Sequence, residues 1–244
     1  MDNKKSIPFN KQLRKATREI HSVSDALVNA KLAFALGDNQ VWAEGLLVFY
    51  EIFHFLEEAM ANPKIPTICD MYVEGIERTR AFEEDLKFYL GENWTESYEI
   101  RPSVAKYLQH LRKLRDEEPI LLIAYVYHLY MGLLSGGQIL RKKRSITQKF
   151  QIFINENSGG NAVTDFGDKS VFELKKSIVN NINTIAANLT DDIKEKLLEE
   201  SKLVFELNNE IIRSIKRANI IILQKLVFFL VVCIVIFILY RIIT

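Results

Sequence analysis

The sequence predicts an all-α protein in which one helical domain is followed by a C-terminal membrane anchor. Apolar residues recur at intervals of three and four along most of the chain, and no stretch keeps the two-residue alternation of a strand for long. A long uncharged segment near the C-terminus indicates the anchor. The segments with helical spacing are Leu13–Leu27, Val41–Met60, Tyr72–Leu90, Val104–Leu114, Ile120–Leu140, Val171–Ala187 and Ile193–Ile215.

Proline and glycine positions agree with these helices. All prolines lie before or at the start of a helical segment, where a missing N–H is harmless. The stretch from Asn155 to Asp168 contains Asn and Gly residues and is expected to be a loop between two helices of one domain. The prolines are Pro8, Pro63, Pro66, Pro102 and Pro119.

The composition excludes several classes of protein. With 48% hydrophobic and 26% charged residues, the chain is expected to fold rather than to remain disordered. Its 32 Lys and Arg residues nearly balance 31 Asp and Glu residues, so the net charge of +1 gives no general attraction to nucleic acid. Two cysteines, Cys69 and Cys233, cannot form a disulfide framework, which fits a reducing compartment.

The C-terminal segment Leu226 to Tyr240 carries no charge and no proline. As a helix it covers about 22 Å, less than the ~30 Å hydrocarbon thickness, so we expect a span over about residues 223–243. A thin membrane such as the endoplasmic reticulum is the better match. More basic residues precede the span than follow it, which predicts a cytosolic domain over residues 1–217 and a tail anchor over residues 218–244. A buried C-terminal helix is the alternative.

The first chemical motif lies on the first predicted helix. Arg14, Arg18, His21 and Asp25 are spaced i, i+4, i+7 and i+11, so that they project within one arc. A carboxylate one turn after a histidine can accept the Nδ1–H and leave Nε2 free to bind a metal. Two guanidinium groups on the same face can pair with carboxylates of a ligand. A solvated helix face of mixed charge is the alternative.

The second motif runs from Tyr127 to Gln138, where three glycines interrupt an apolar helix. Each glycine costs about 1 kcal/mol of helix stability relative to alanine. Gly132 and Gly136 are one turn apart and leave a strip of bare backbone, against which a flat ligand could lie, and they permit a bend. Close packing of a neighbouring helix is the alternative.

Together the two motifs resemble the heme oxygenases in residues, order and spacing, over roughly residues 10–215. In that family the heme lies between a proximal helix that supplies the axial histidine and a kinked distal helix that carries glycines. The resemblance therefore implies catalytic roles for Gly132 and Gly136. The segments that carry it are LRKATREIHSVSD (Leu13–Asp25), EIFHFLEE (Glu51–Glu58), FEEDLKFYLGENW (Phe82–Trp94) and EEPILLIAYVYHLYMGLLSGGQIL (Glu117–Leu140).

The resemblance assigns a role to each residue of the first motif. His21 matches the iron ligand, and Asp25 matches the carboxylate that orients it. Arg14 and Arg18 stand where the family places basic residues near the heme propionates, and Tyr127 matches a tyrosine that reaches a propionate.

Later residues complete the site that the resemblance implies. Lys175 or Lys176 is expected to supply a basic residue for a propionate, while Val179 occupies a position usually filled by arginine. Phe205 matches a pocket phenylalanine, and Asn208 matches a polar neighbour that could hold distal water and so take part in catalysis.

Three positions depart from the family pattern, and all are apolar here. Leu133 replaces an aspartate that organises proton-delivering water in the family. Leu129 stands where arginine is common, and Phe53 where a tyrosine of the same water network is common. Since ordered water needs two or more polar partners, we expect a drier distal pocket.

The resemblance implies a heme oxygenase that converts heme, iron protoporphyrin IX, to biliverdin, carbon monoxide and ferrous iron. Oxygen is the second substrate, and the implied partner is an NADPH-dependent flavoprotein reductase of the cytochrome P450 reductase type on the same membrane. Heme is then both substrate and cofactor. The alternative is a heme-binding or heme-sequestering protein with weak or no turnover, which Leu133 favours.

Overall fold

The computed structural model describes residues 7–32, 38–152 and 159–243, and these residues form eleven α-helices without a strand. The predicted all-α fold is confirmed. The helices are α1 Phe9–Ala16, α2 Arg18–Leu32, α3 Asn39–Met60, α4 Pro66–Cys69, α5 Thr79–Leu90, α6 Pro102–Glu117, α7 Leu122–Gly132, α8 Gln138–Ile152, α9 Val171–Ala187, α10 Asp191–Arg213 and α11 Lys216–Ile243.

One buried core joins the helices of the domain. Helix α3 packs against α5 and α6, while α10 packs against α1, α2 and α7. Helix α7 lies at the centre, and all of its residues from Leu122 to Tyr127 are buried. A helix that is apolar on every face is typical of such a central position.

The first predicted helix is interrupted at Thr17, which separates α1 from α2. Thr17 has φ −97° and ψ 2°, and its hydroxyl donates to the carbonyl of Leu13 over 2.9 Å. The backbone N–H of His21 still donates to the carbonyl of Thr17, so helical hydrogen bonding continues across the break. Arg14 therefore lies on α1, while His21 lies on α2.

The predicted helix Tyr72–Leu90 is wrong over its first part, since α5 begins only at Thr79. Gly75 has φ +91°, a left-handed conformation that favours glycine and breaks the helix. The buried Arg78 guanidinium holds this loop by donating to the carbonyls of Gly75 and Ile76. The carboxylate of Glu57 on α3 accepts from the backbone N–H of Thr79 and so caps α5.

The predicted helix Ile120–Leu140 is split in the structure. Helix α7 ends at Gly132, a π-helical turn covers Leu133–Gly137, and α8 continues from Gln138. Single π turns inside helices are a recognised cause of kinks and occur frequently at functional sites. The bend itself stays a prediction, and the π turn between Gly132 and Gln138 is where we expect it. Of the predicted loop, residues 155–158 lie outside the described residues, and the rest contains a 3₁₀ turn at Ala162–Thr164.

The base of α11 is attached to the domain. Lys31 Nζ donates to the carbonyls of Arg213 and Ile215, over 3.3 and 3.1 Å, and to Asn219 Oδ1 over 2.7 Å. Ala218 is fully buried. Helix α11 therefore begins as part of the domain and leaves it after its first turns.

Two helical stretches of the described chain are long and apolar enough to cross a membrane. The first, Pro119–Ile146, is mostly buried inside the domain. The second, Lys216–Ile238, is not buried over its most apolar window of 18 residues, and its large apolar side chains from Leu226 to Ile238 are exposed wherever they are described. The domain limits at residues 217 and 218 remain predictions.

Candidate functional site

The proximal wall of the candidate site is helix α2 with His21. The Nδ1 atom of His21 lies 3.0 Å from Asp25 Oδ2, as the i,i+4 spacing predicts. The two side chains are 55% and 65% exposed, so protein atoms do not cover this face of the helix. A carboxylate on Nδ1 fixes the tautomer and leaves Nε2 available as a ligand.

Basic residues and a tyrosine lie at one end of this wall. Arg14 and Arg18 are exposed, and neither has an ion-pair partner among the described residues. Burial raises the pKa of the Tyr127 phenol on α7, and the charge of Arg14 opposes that rise, so these two groups lie close enough to interact. This end can therefore receive carboxylates.

The glycines of the distal wall face open space. A Cβ atom added at Gly132 or at Gly136 would meet nothing within 4 Å, and both residues are exposed. Close packing of a neighbouring helix would place protein atoms within that distance, so the packing alternative for these two positions is wrong. The bare strip of backbone is available to a ligand instead.

Gly137 differs from the other two glycines. It is buried, and a Cβ there would come within 2.9 Å of Leu133 Cδ1. The Leu133 side chain thus lies over the following turn of its own helix, with Thr164 nearby. At the position of the family aspartate, the chain has an aliphatic group packed against backbone.

The other two departures from the family pattern lie in the core. Phe53 is 3% exposed, and its ring packs against the rings of Phe82 and Tyr130 at 5.2 and 5.1 Å. Leu129 is also buried. The structure thus agrees with an apolar surrounding of the distal helix at these positions.

Phe205 of α10 connects the two walls. Its ring centroid lies 5.3 Å from that of His21 and 5.0 Å from that of His128 on α7. The sequence interpretation places Phe205 in the pocket, and this contact supports it. The Nε2 atom of His128 is buried without a hydrogen-bond partner among the described residues.

Asn208, one turn after Phe205, is held by a residue that the sequence reasoning missed. The buried Tyr107 hydroxyl on α6 donates to Asn208 Oδ1 over 3.1 Å, which fixes the amide. Burial and the nearby Glu200 raise the pKa of Tyr107 well above its usual value, so it remains a donor. The feature of the sequence that comes nearest to indicating this contact is Tyr107 itself, which lies on the apolar face of the predicted helix Val104–Leu114.

A second polar cluster lies beside this pair. Glu200 Oε1 accepts from the Tyr125 hydroxyl and lies 2.6 Å from His110 Nε2. His110 lies on α6, whereas Glu200 comes from α10. Periodicity within one helix cannot reveal such a contact.

An open groove of about 490 Å³ runs along α9, beside the distal helix. Lys175, Lys176 and Val179 line it together with Met131 of α7. Lys176 Nζ lies 3.5 Å from Glu173, whereas Lys175 has no ion pair within the described part of the chain. Lys175 is therefore the better candidate for binding a carboxylate.

These residues fit a heme. A porphyrin needs an imidazole with a free Nε2 on one face, an uncovered surface on the other, and cations for its propionates. His21, the bare strip at Gly132 and Gly136, and Arg14 with Arg18 supply these three requirements. Elsewhere among the described side chains, no group of three His, Cys, Asp or Glu residues could hold a metal ion.

Comparison with known proteins decides the family. The family model described as heme oxygenase matches residues 7–214. The chain belongs to the heme oxygenase family. Among curated heme oxygenases, heme oxygenase 1 of Homo sapiens is 29% identical over 214 residues, covering 85% of this chain and 72% of the human protein. Heme oxygenase of Rhodella violacea is 31% identical over 209 residues, covering 84% of this chain and 85% of that protein.

Solved heme oxygenase structures share the fold. Heme oxygenase-1 of the cyanobacterium Synechocystis in complex with heme gives a TM-score of 0.77 at 25% identity, covering 91% of this chain and 98% of that one. Heme oxygenase 2 of Chlamydomonas reinhardtii without heme gives 0.74 at 29% identity, covering 86% and 98%. The resemblance is confirmed, and the chain is an oxidoreductase that binds and cleaves heme.

We expect Gly136→Leu to separate heme binding from folding. A Cβ at this position meets no protein atom within 4 Å, so the free energy of unfolding should stay the same or rise by up to about 1 kcal/mol, since glycine is a poor helix former. Heme affinity, measured by absorbance titration, should fall about tenfold or more because leucine occupies the uncovered face.

Gly45→Leu is the matched control, since a Cβ at this helical glycine on α3 also meets nothing within 4 Å. It should leave heme affinity unchanged. Equal heme affinity in the Gly136→Leu variant and the wild type would show that the ligand does not lie on this strip.

Proposed function

We propose that this heme oxygenase cleaves heme to biliverdin, carbon monoxide and ferrous iron in the crevice between α2 and the α7–α8 segment. The single observation that carries the proposal is the pairing of an exposed, carboxylate-oriented His21 with an uncovered glycine strip at Gly132 and Gly136. Phe205 contacts both walls, which supports their belonging to one site.

Each residue has a stated role in this proposal. His21 holds the iron through Nε2, and Asp25 keeps the ring oriented through Nδ1. Arg14, Arg18 and Lys175 bind the propionates by charge-assisted hydrogen bonds. Bound heme supplies both the iron at which oxygen is reduced and the porphyrin that is opened.

The remaining site residues act on the ligand's surroundings. The Tyr127 hydroxyl donates to a propionate beside Arg14. Lys176 plays a lesser part because it pairs with Glu173. Gly132 and Gly136 admit the porphyrin and the small oxygen molecule, and Asn208, oriented by Tyr107, holds water that can pass a proton.

A second candidate function is heme sequestration with weak turnover. The observation in its favour is the aliphatic Leu133 packed on Gly137, where no side-chain carboxylate can relay a proton. We favour an intermediate case, an oxygenase with slow turnover, because the polar side chain of Asn208 is held in place near the pocket.

We propose that α11 anchors the enzyme in the endoplasmic reticulum membrane with the catalytic domain in the cytosol. The 28-residue helix carries exposed apolar side chains, and its basic residues Lys216 and Arg217 precede the apolar part. Electrons come from NADPH through a flavoprotein reductase of the cytochrome P450 reductase type on the same membrane surface.

Substitution of His21 tests the proposed site. We expect His21→Ala to lose the imidazole-ligated ferric and carbonyl absorption spectra and to make no biliverdin, and added imidazole should restore the spectra by filling the vacated position. Asp25→Asn should keep the ligand but lower heme affinity by about 10- to 100-fold. His54→Ala, a change at a half-buried histidine paired with Glu58, is the control. Wild-type spectra in His21→Ala would disprove the assignment.

Leu133→Asp distinguishes the oxygenase from the sequestering protein. If proton delivery limits turnover, biliverdin formation under reductase and NADPH should accelerate, by as much as roughly 10²-fold for a well-placed proton donor. Leu133→Asn, which has the same shape but no acidic proton, should give much less acceleration. Heme binding without bile pigment in the wild type and in both variants would instead favour sequestration.

The membrane arrangement predicts accessibility from the cytosolic side. Protease added to intact microsomes should digest the domain, and the exposed sequons at Asn93 and Asn188 should remain without glycans. A sequon tag added after Thr244 should be glycosylated, because it follows the span into the lumen. Glycans on Asn93 or Asn188 would show the opposite orientation.

A further inference from the structure

Helix α8 turns a face of isoleucine and lysine residues towards solvent. Ile139 and Ile146 are 58% and 51% exposed, and Lys142 and Lys143 between them are also exposed. Ile139, Lys142 and Ile146 are spaced i, i+3 and i+7, which places them on one side of the helix. The sequence of α8 contains no acidic residue. A helix face that combines basic and apolar residues is typical of binding to a membrane surface or to a partner helix.

Two other cations of α8 are bound within the protein. Arg141 pairs with Asp165 over 2.7 Å. Arg144 is fully buried and donates to Asn39 Oδ1 over 2.6 Å. Lys142, by contrast, has no ion pair within the described ranges. Its ammonium group is therefore available to an anion outside the protein.

Contacts with α2 place this face beside the base of the anchor helix. Lys143 Nζ donates to Asn29 Oδ1 over 3.2 Å. Two residues further along α2, Lys31 donates to Asn219 Oδ1 in the first turn of α11 over 2.7 Å. The middle of α8 and the first turn of α11 therefore lie at the same end of α2.

Contacts with α3 give the same placement. Asn39, which accepts from Arg144 of α8, is the first residue of α3. Asp38, directly before it, lies 3.3 Å from Arg217 Nε of α11. Two adjacent residues thus join α8 and α11 at one end of the domain. This position favours the membrane over a partner helix as the surface that α8 meets.

The distance from this end of the domain to the lipid headgroups is short. Lys225 is the last charged residue before the apolar segment that begins at Leu226. It follows Asn219 by six residues, which is about 9 Å along a helix. The negative potential of a membrane surface extends over about one screening length, ~8 Å in physiological salt. Anionic headgroups at the level of Lys225 therefore attract the lysines of α8.

We propose that the α8 face formed by Ile139, Lys142, Lys143 and Ile146 binds the anionic headgroups of the membrane that holds the anchor. This inference rests on the proposed membrane anchor and adds a second contact between the domain and the bilayer. The lysines pair with the charged headgroups, and the isoleucines lie at their boundary with the acyl chains. None of the four residues belongs to the proposed heme site.

The first test measures how readily lysines react in the full chain inserted into vesicles. A water-soluble acetylating reagent should modify Lys142 more slowly, by about threefold or more, in vesicles of phosphatidylcholine with phosphatidylserine than in vesicles of phosphatidylcholine alone. Raising the salt to about 1 M should remove the difference, because the screening length falls to ~3 Å. Lys11, exposed on α1 at the other end of α2, should react equally in both kinds of vesicle.

The second test places a fluorescent probe on the same face. Emission from Ile146→Trp should be quenched by brominated lipids, whereas the native Trp42 and Trp94 are buried and give a constant background. Quenching should be stronger in vesicles with phosphatidylserine, and a second change, Lys142→Glu, should remove most of it by repelling the headgroups. Ile7→Trp, at another exposed isoleucine just before α1, is the matched control and should not be quenched.

Equal reactivity of Lys142 in both kinds of vesicle would overturn the inference, and so would unquenched emission from Ile146→Trp. Protection of Lys142 that requires addition of the reductase would assign the face to a protein instead of lipid. Release of the wild-type chain from vesicles by an alkaline carbonate wash would overturn the proposed anchor together with this inference, whereas the other outcomes leave the anchor intact.

Discussion

A planar ligand can lie against a helix only where the protein leaves the backbone of that helix uncovered. In this fold, the packing of the other helices satisfies that requirement. Gly132 and Gly136 remain bare because α7 is held from its other sides. The Tyr130 hydroxyl donates to Glu57 of α3 over 3.0 Å, and the Tyr125 hydroxyl donates to Glu200 of α10. These contacts with two different helices fix α7, so that no protein atom needs to cover the strip to keep it in place.

Features that lie within one helix can be predicted from the sequence alone. The pairing of His21 with Asp25 follows from i,i+4 spacing, and the glycine strip follows from the distal motif. Features that depend on contacts between helices were missed, as the Tyr107 to Asn208 hydrogen bond shows. The break at Thr17 was also missed, because a threonine hydroxyl bonding back to its own helix leaves the apolar periodicity unchanged.

The loop before α5 illustrates the same limit. Apolar spacing from Tyr72 onwards suits a helix, but the left-handed Gly75 and the buried Arg78 stabilise a loop instead. An arginine that bonds backbone carbonyls satisfies groups that helix formation would otherwise satisfy. Tertiary contacts therefore override a helical spacing of apolar residues where one long side chain can replace several backbone hydrogen bonds.

The attachment of α11 through Lys31 has a mechanical consequence. The Lys31 ammonium donates to carbonyls at the end of α10 and just before α11, and to Asn219 in the first turn of α11. Arg101 donates to the carbonyl of Ser214 and forms an ion pair with Glu44 of α3. A tail fixed in this way is a rigid stalk rather than a flexible tether. With the stalk embedded in a bilayer, the domain would keep a constant tilt and height above the lipid, and its search for an electron donor would reduce to lateral diffusion and rotation about a single axis.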